Sequence, residues 1–264
     1  MGKLIAFWSP YEGKSKVTSS LCAIAGIFGM EYPEISVAIS HGLQAGTDLE
    51  EKLFSMETWE EQCELYKKTG IAALKIHCRQ GILSAEKIRR SGVPLCMKSL
   101  YLYPYIEQAG DRGELTTQLV TETIKSEFDI VLLDLKSGVH QENECFFEAA
   151  DLVVVVLPQE PVYLKRFLKN YGQNPAVKEY CFLFGGYLEK SKYRYKFYQK
   201  NKEFWKNFAG VIPNNVGFLD AMAEGKTLDY FMKNRRLNKK EENYEFIVQT
   251  KKAAEYIRKQ IFIF

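Results

Sequence analysis

The chain has 264 residues, of which 46% are hydrophobic and 26% charged, and its formal net charge is +3. That size and balance suit one folded domain over 1–264, exclude a disordered or low-complexity chain, and give too little charge to imply nucleic acid or a membrane surface by themselves. Six cysteines (Cys22, Cys63, Cys78, Cys96, Cys145 and Cys181) stand singly, without a CxxC pair or a Cys/His cluster at metal spacing. They read as reduced thiols rather than a disulfide scaffold or a zinc site. No signal-peptide pattern is present, and no apolar run reaches the ~20 residues that cross a bilayer, so a cytosolic protein is expected.

In chain order, Lys3–Trp8 is a short apolar run closed by turn residues, a buried strand. Residues 16–30 carry Val17, Leu21, Ile24, Ile27 and Phe28 at helical spacing. Residues 35–40 predict a second strand, 47–68 a charged amphipathic helix with a break near Glu57, 84–90 a helix, and 95–103 an extended segment stopped by Pro104. A helix is expected over 115–126, a strand over 128–133 ending at Asp134, and a helix over 142–150. The run 151–158 is the plainest strand, and its unbroken β-branched residues mean burial on both faces. A helix at 162–170, strands at 180–184 and 210–212, and an amphipathic helix over 241–264 complete the chain. Strands alternating with helices define an α/β fold, a doubly wound, mostly parallel sheet with helices on both faces. Ligands in such folds sit at the carboxyl ends of the strands. Here those ends carry residues 9–15, Ser40-His41-Gly42 and 134–138.

Between the first strand and the first helix stands Gly13-Lys14-Ser15. A strand–loop–helix of this kind turns backbone N–H groups toward phosphate oxygens, with Lys14 on the terminal phosphates and the Ser15 hydroxyl on Mg²⁺. Gly13, Lys14, Ser15 and Lys16 are therefore the candidate nucleotide-binding residues of a P-loop NTPase-like fold. The full G-x-x-x-x-G-K-[ST] pattern fails at its first position, which is Trp8. A chance tripeptide is the alternative reading.

Several further motifs follow in order. The strand 128–134 ends in Asp134 and is followed by Gly138. Ala150 leads into 151–161, a strand with a proline-rich exit. Gly210-Val211-Ile212-Pro213 precedes Phe218-Leu219-Asp220-Ala221 and Gly225-Lys226. In this order the motifs resemble the ParA/MinD superfamily of deviant Walker A ATPases, and most of all its atypical TadZ-like branch. The resemblance implies bound ATP, Mg²⁺ held at Ser15 and, through water, at Asp134, and a nucleotide-sandwiched dimer. Read without it, Asp134 is an ordinary strand-end carboxylate. Pro213 and Asn214 would flank the adenine, although turn formation explains them equally well.

The departures bear on chemistry. The family loop runs K-G-G-x-G-K-[ST]; this chain has Ser9, Pro10, Tyr11 and Glu12 in place of its first four residues. Ser9 cannot reach across a dimer as the signature lysine does, Pro10 lacks an N–H, and Glu12 puts negative charge beside an anion. Ala38 and Ser40 stand where the second strand's Asp-x-Asp is expected, and the nearest carboxylate is Asp48. His41 could act as a base, but reads better as a solvent-facing turn residue. Lys136 could supply a replacement positive charge.

Two segments bear on partners. Residues 188–206 interleave seven Lys/Arg with aromatics, against two Glu. This pattern suits DNA, or else an amphipathic helix with a solvated basic face. The apolar stripe of 241–264 (Phe246, Ile247, Ala253, Ala254, Ile257, Ile261) suits docking on the sheet, or else a membrane surface. The leading expectation is an ATP-binding homodimer with weak or absent hydrolysis that positions or assembles a larger machine, of pilus or secretion type. The alternatives are an active DNA-partition ATPase and a scaffold that has kept only the fold.

Overall fold

The computed structural model of the chain describes residues 2–41, 48–54, 69–95, 97–105, 117–171, 179–198, 200 and 202–262. Eight strands form one sheet: β1 (Lys3–Trp8), β2 (Val37–His41), β3 (Val93–Pro94), β4 (Leu100–Tyr103), β5 (Ile130–Asp134), β6 (Leu152–Leu157), β7 (Tyr180–Tyr187) and β8 (Phe208–Pro213). Their order is β3-β4-β2-β5-β1-β6-β7-β8. Every pairing is parallel except β3 with β4. This is the α/β P-loop NTPase-like architecture that the alternating pattern predicts.

β1 is central because its residues can be buried on both faces. Leu4 to Phe7 are wholly buried, with Leu4, Ala6 and Trp8 in one core layer and Ile5 and Phe7 in the other. Each fully buried large apolar side chain contributes roughly 1.5–3 kcal/mol. The Ile5 layer is closed by α1 (Val17–Glu31), α2 (Leu49–Leu53), α9 (Val216–Ala223), α10 (Thr227–Lys233) and α11 (Tyr244–Ile261). The Leu4 layer is closed by α3 (Gly70–Arg79), α4 (Ala85–Ser91), a π-helical turn Leu119–Ile124 running into α5 (Lys125–Glu127), α6 (Glu144–Ala149), α7 (Pro161–Asn170) and α8 (Lys202–Asn207).

Two expectations are modified, and a third lies largely outside the described residues. Of 47–68 the structure describes only α2 and its flanks; residues 55–68, with Cys63, lie outside the described residues, as does Cys96. The segment 95–103 is strand only at Leu100–Tyr103, and the antiparallel β3 beside it was not expected; Pro94 is tolerated there because β3 is an edge. Residues 188–206 are not one amphipathic helix. They form a 3-10 turn Tyr195–Tyr198 and the short α8, because Tyr198 and Phe204 turn inward, stack at 4.7 Å and cover Phe184 of β7.

The carboxyl-terminal helix takes the first of its two readings, docking on the sheet. Its stripe Phe246, Ile247, Ala253, Ala254, Ile257 and Ile261 is buried against β8 and α1. The apolar face offered for a membrane surface through 241–264 is therefore spent on the protein's own core. No helix among the described residues is long and apolar enough to cross a membrane.

The α1–α10 contact depends on Gly26, where an added Cβ would come 2.2 Å from the ring of Phe231, itself fully buried. Gly26→Ala should lower stability by about 1–3 kcal/mol through overpacking, read as a reduced urea midpoint at unchanged m-value.

Candidate functional site

The end of β1 leads into a loop, residues 9–16, which the segment after β5 holds from below. Trp8 Nε1 donates to Gly138 O at 2.9 Å, and Gly138 N donates to Ser9 O at 2.8 Å. The side chain that replaces the first loop glycine is thus an anchor, its ring packed edgewise on Phe147 and Tyr171. Tyr11 turns outward to α7. Its hydroxyl donates to Tyr163 O at 2.8 Å, the two rings meet at 4.8 Å, and burial raises its pKa.

Helix α1 begins only at Val17. Its N-cap is Lys16, at φ 58° and ψ 46°, and no side chain caps the helix start. Lys16 is the one non-glycine residue at positive φ among the described residues. Such a conformation costs on the order of 1–2 kcal/mol and persists where surrounding structure enforces it. Intrahelical bonding starts with Ser20 N donating to Lys16 O at 2.9 Å. The first amides of α1 are left for an external acceptor, at the positive end of the helix dipole.

Those residues line a cleft of about 490 Å³ bounded by Glu12, Gly13, Ser15, Lys16, Val17, Thr18, Ser19, Asp48, Lys52, Leu135, Lys136 and Ser137. An added Cβ at Gly13 (φ 67°) would meet nothing within 4 Å, so the loop faces open space there. A second, smaller groove beside it is lined by Pro213 and Asn214 and shares Lys16 and Ser19 with the first. Asn214 N donates to Tyr187 O at 2.8 Å, and Asn215 caps α9 by accepting from Phe218 N at 2.7 Å.

The structure does not bring all the sequence candidates together. Gly13, Ser15 and Lys16 line the cleft, but Lys14 does not. Lys14 Nζ donates to the Tyr163 hydroxyl at 3.0 Å and sits over that ring. The Ser15 hydroxyl lies 2.6 Å from the Ser9 hydroxyl, which is fully buried, so position 9 is a loop brace. The hydroxyl that reaches Asp134 belongs to Thr18, which donates to Oδ2 at 2.7 Å. Thr18 was not singled out in the sequence. Its signal is positional: it is the second residue of a helix whose start lies three residues beyond the tripeptide's lysine.

Asp134 ends β5 in register with Phe7 of β1 and His41 of β2. It is 1% exposed and its Oδ1 has no hydrogen-bond partner. Burial pushes its pKa up to about 7, opposed by the Thr18 hydrogen bond and by His41. His41 is not a solvent-facing turn residue: it is 2% exposed, with Nε2 2.8 Å from Glu50 Oε1 of α2 and its ring edge-on to Tyr105. β2 runs one residue further than the Gly42 turn suggests, which carries the imidazole into the core. Ser40 is buried and donates to Tyr103 O at 3.0 Å, and its neighbour Ala38 is buried too, so neither position offers a carboxylate.

The chain thus has the α/β architecture of the P-loop NTPase class, with the uncapped start of α1 opening on a cleft and Asp134 buried behind it at the end of β5. Comparison with solved structures agrees. MinD, the cell-division ATPase of Pyrococcus furiosus, superposes with a TM-score of 0.67 at 16% identity, covering 98% of this chain and 99% of that one. A ParA-family ATPase from Chlorobium tepidum gives 0.68 at 14% identity, over 97% of each chain. The septum site-determining protein MinD of Pyrococcus horikoshii, complexed with Mg-ADP, gives 0.65 at 13% identity, over 100% of this chain and 98% of that one. At these identities the likeness is one of fold. No protein-family profile and no curated protein sequence matches the chain.

The raised Asp134 pKa has a thermodynamic consequence. The folded state keeps a proton between pH 3.8 and about 7 that an unfolded chain has lost, so stability falls as pH rises through that window. Asp134→Asn removes the penalty. It should raise stability at pH 8 by on the order of 2–4 kcal/mol and leave it nearly unchanged at pH 3.5, as thermal melts at the two pH values would show.

Proposed function

We propose that the chain is a ParA/MinD-like nucleotide-binding protein that takes ATP with Mg²⁺ and hydrolyses it slowly or not at all. The observation that carries this reading is the run of uncapped amides at the start of α1, facing a cleft beside buried Asp134. The di- or triphosphate lies against Gly13, Ser15, Lys16 and the first turn of α1, and the base lies toward Pro213 and Asn214, whose groove opens beside Lys16. Lys14 joins the phosphates only by leaving Tyr163. The donor set fits a divalent cation: Asp134 Oδ1 is buried without a partner, and Mg²⁺ typically takes one or two carboxylates together with substrate phosphates and water. Asp134 and the Thr18 hydroxyl, with Ser15 within the same cleft, are the residues that would hold it. When bound, the cation would supply charge neutralisation at the phosphates.

Weak hydrolysis follows from what the site lacks among the described residues. Ser9 is buried where the superfamily's trans-acting lysine stands, and Ala38 and Ser40 put no carboxylate at the end of β2. The protein then acts in the cytoplasm, as a homodimer whose nucleotide state is read by a protein partner while it positions or assembles a larger machine, of pilus or secretion type as in the TadZ-like branch. The fold likeness to a cell-division ATPase and a ParA-family ATPase supports this reading. Calorimetry with Mg-ATP and Mg-ADP should give dissociation constants below about 1 mM, with phosphate release at background. Thr18→Val should remove most of the Mg²⁺ dependence of binding. Absence of heat or thermal shift at millimolar Mg-ATP sinks the proposal.

One observation favours a second reading, the active DNA-partition ATPase. Phe197 and Trp205 are exposed large aromatics within the basic run 188–206, flanked by exposed Lys196, Lys200 and Lys206. Under that reading DNA co-sediments with the chain in a salt-sensitive way and stimulates phosphate release. Neither effect is expected if the first reading holds.

A further inference from the structure

The cleft carries more cationic side chains than its loop brings. Lys16 comes from the loop, Lys52 from α2 and Lys136 from the segment after β5, and all three line the same space. Two of them differ in what a phosphate ligand must displace. Lys136 is exposed. Lys52 pairs with Asp48, one helical turn before it, and Asp48 is half exposed. The remaining lining carboxylate, Glu12, is also mostly exposed; it leans over Gly138, with Oε1 3.3 Å from His140 Nε2. A pair whose carboxylate is as exposed as Glu12 contributes only about 0–1 kcal/mol, so a multiply charged phosphate displaces it at small cost, whereas Lys52, 16% exposed, exchanges Asp48 for the ligand.

The lysine of the tripeptide is directed elsewhere, with Lys14 Nζ on the Tyr163 hydroxyl. Position 9, from which a charge would have to reach a second copy, is a buried serine bonded to Ser15. The ligand side of the cleft is marked independently by the uncapped start of α1 and by Thr18, which lines the cleft and donates to buried Asp134, whose Oδ1 has no partner.

We propose that the phosphates of a bound nucleoside di- or triphosphate are neutralised within one chain, by Lys16, Lys52 and Lys136, with no lysine contributed by a second copy. This rests on the nucleotide-binding reading above and specifies how that site balances charge. α2 and the segment after β5 act as the two side walls of the phosphate cradle, and each brings one ammonium to it. Ligand binding is therefore complete in the monomer.

The test is calorimetry of the full chain with Mg-ADP and with inorganic pyrophosphate, at a protein concentration where sedimentation shows a monomer. Wild type is compared with Lys52→Gln, Lys136→Gln, the double variant, and the surface control Lys190→Gln. The expected result is monomer binding by wild type and control, about tenfold weaker binding for each single variant, a larger loss for the double variant, and recovery in Lys52→Arg. Circular dichroism checks folding; should Lys52→Gln unfold, the exposed Lys136 still provides the readout. A double variant within about twofold of wild type overturns the inference, as does nucleotide that binds only to a dimer. A wild type that binds neither ligand fails differently, because it removes the nucleotide reading itself and this inference with it.

Discussion

One hydrogen bond ties the site to the sheet: Thr18 at the start of α1 to Asp134 at the end of β5. A carboxylate that is 1% exposed, with one oxygen unpartnered, is a local cost that folding alone has no reason to retain. β5 places it between β1 and β2, and the helix start opposite it leaves its amides bare. Asp134 thus carries an unmet acceptor behind the helix start, and the helix start leaves unmet donors on the cleft. Neither set satisfies the other.

The surrounding structure holds this arrangement at some expense. Lys16 is kept in a left-handed conformation that a glycine would adopt freely, and β7 passes so close that a Cβ at Gly185 would sit 2.2 Å from the Ser15 carbonyl oxygen. Below, Trp8 and Ser9 are stitched to Gly138; outside, Tyr11 and Lys14 are strapped to Tyr163. A loop held on three sides keeps its shape without the glycines that normally give such a loop its freedom. The residues that look like damage in the loop are the ones that fasten it, and they leave its cleft-facing side open.

Much of the fold was legible because each element carries its own periodicity. Apolar runs such as 151–158 admit only a doubly buried strand, and the sheet follows from their alternation with helices. The broken segment 188–206 was illegible for the opposite reason: its aromatics are spaced for no regular face, and only their packing on buried Phe184 of β7 decides that Tyr198 and Phe204 turn inward. His41 shows the same limit. Its partner Glu50 lies nine residues on in a separate helix, and nothing local announces that the imidazole is buried.

The amino-acid sequence by itself determined the α/β class, the place of the Gly13-Lys14-Ser15 loop between the first strand and the first helix, and Asp134 at a strand end, because hydrophobic period and turn chemistry are local properties. Only the tertiary structure decided which hydroxyl meets Asp134, where Lys14 points, and that Lys52 and Lys136 border the same cleft. Those are distances between elements far apart in the chain. They are set by strand register and helix docking, which no local pattern encodes.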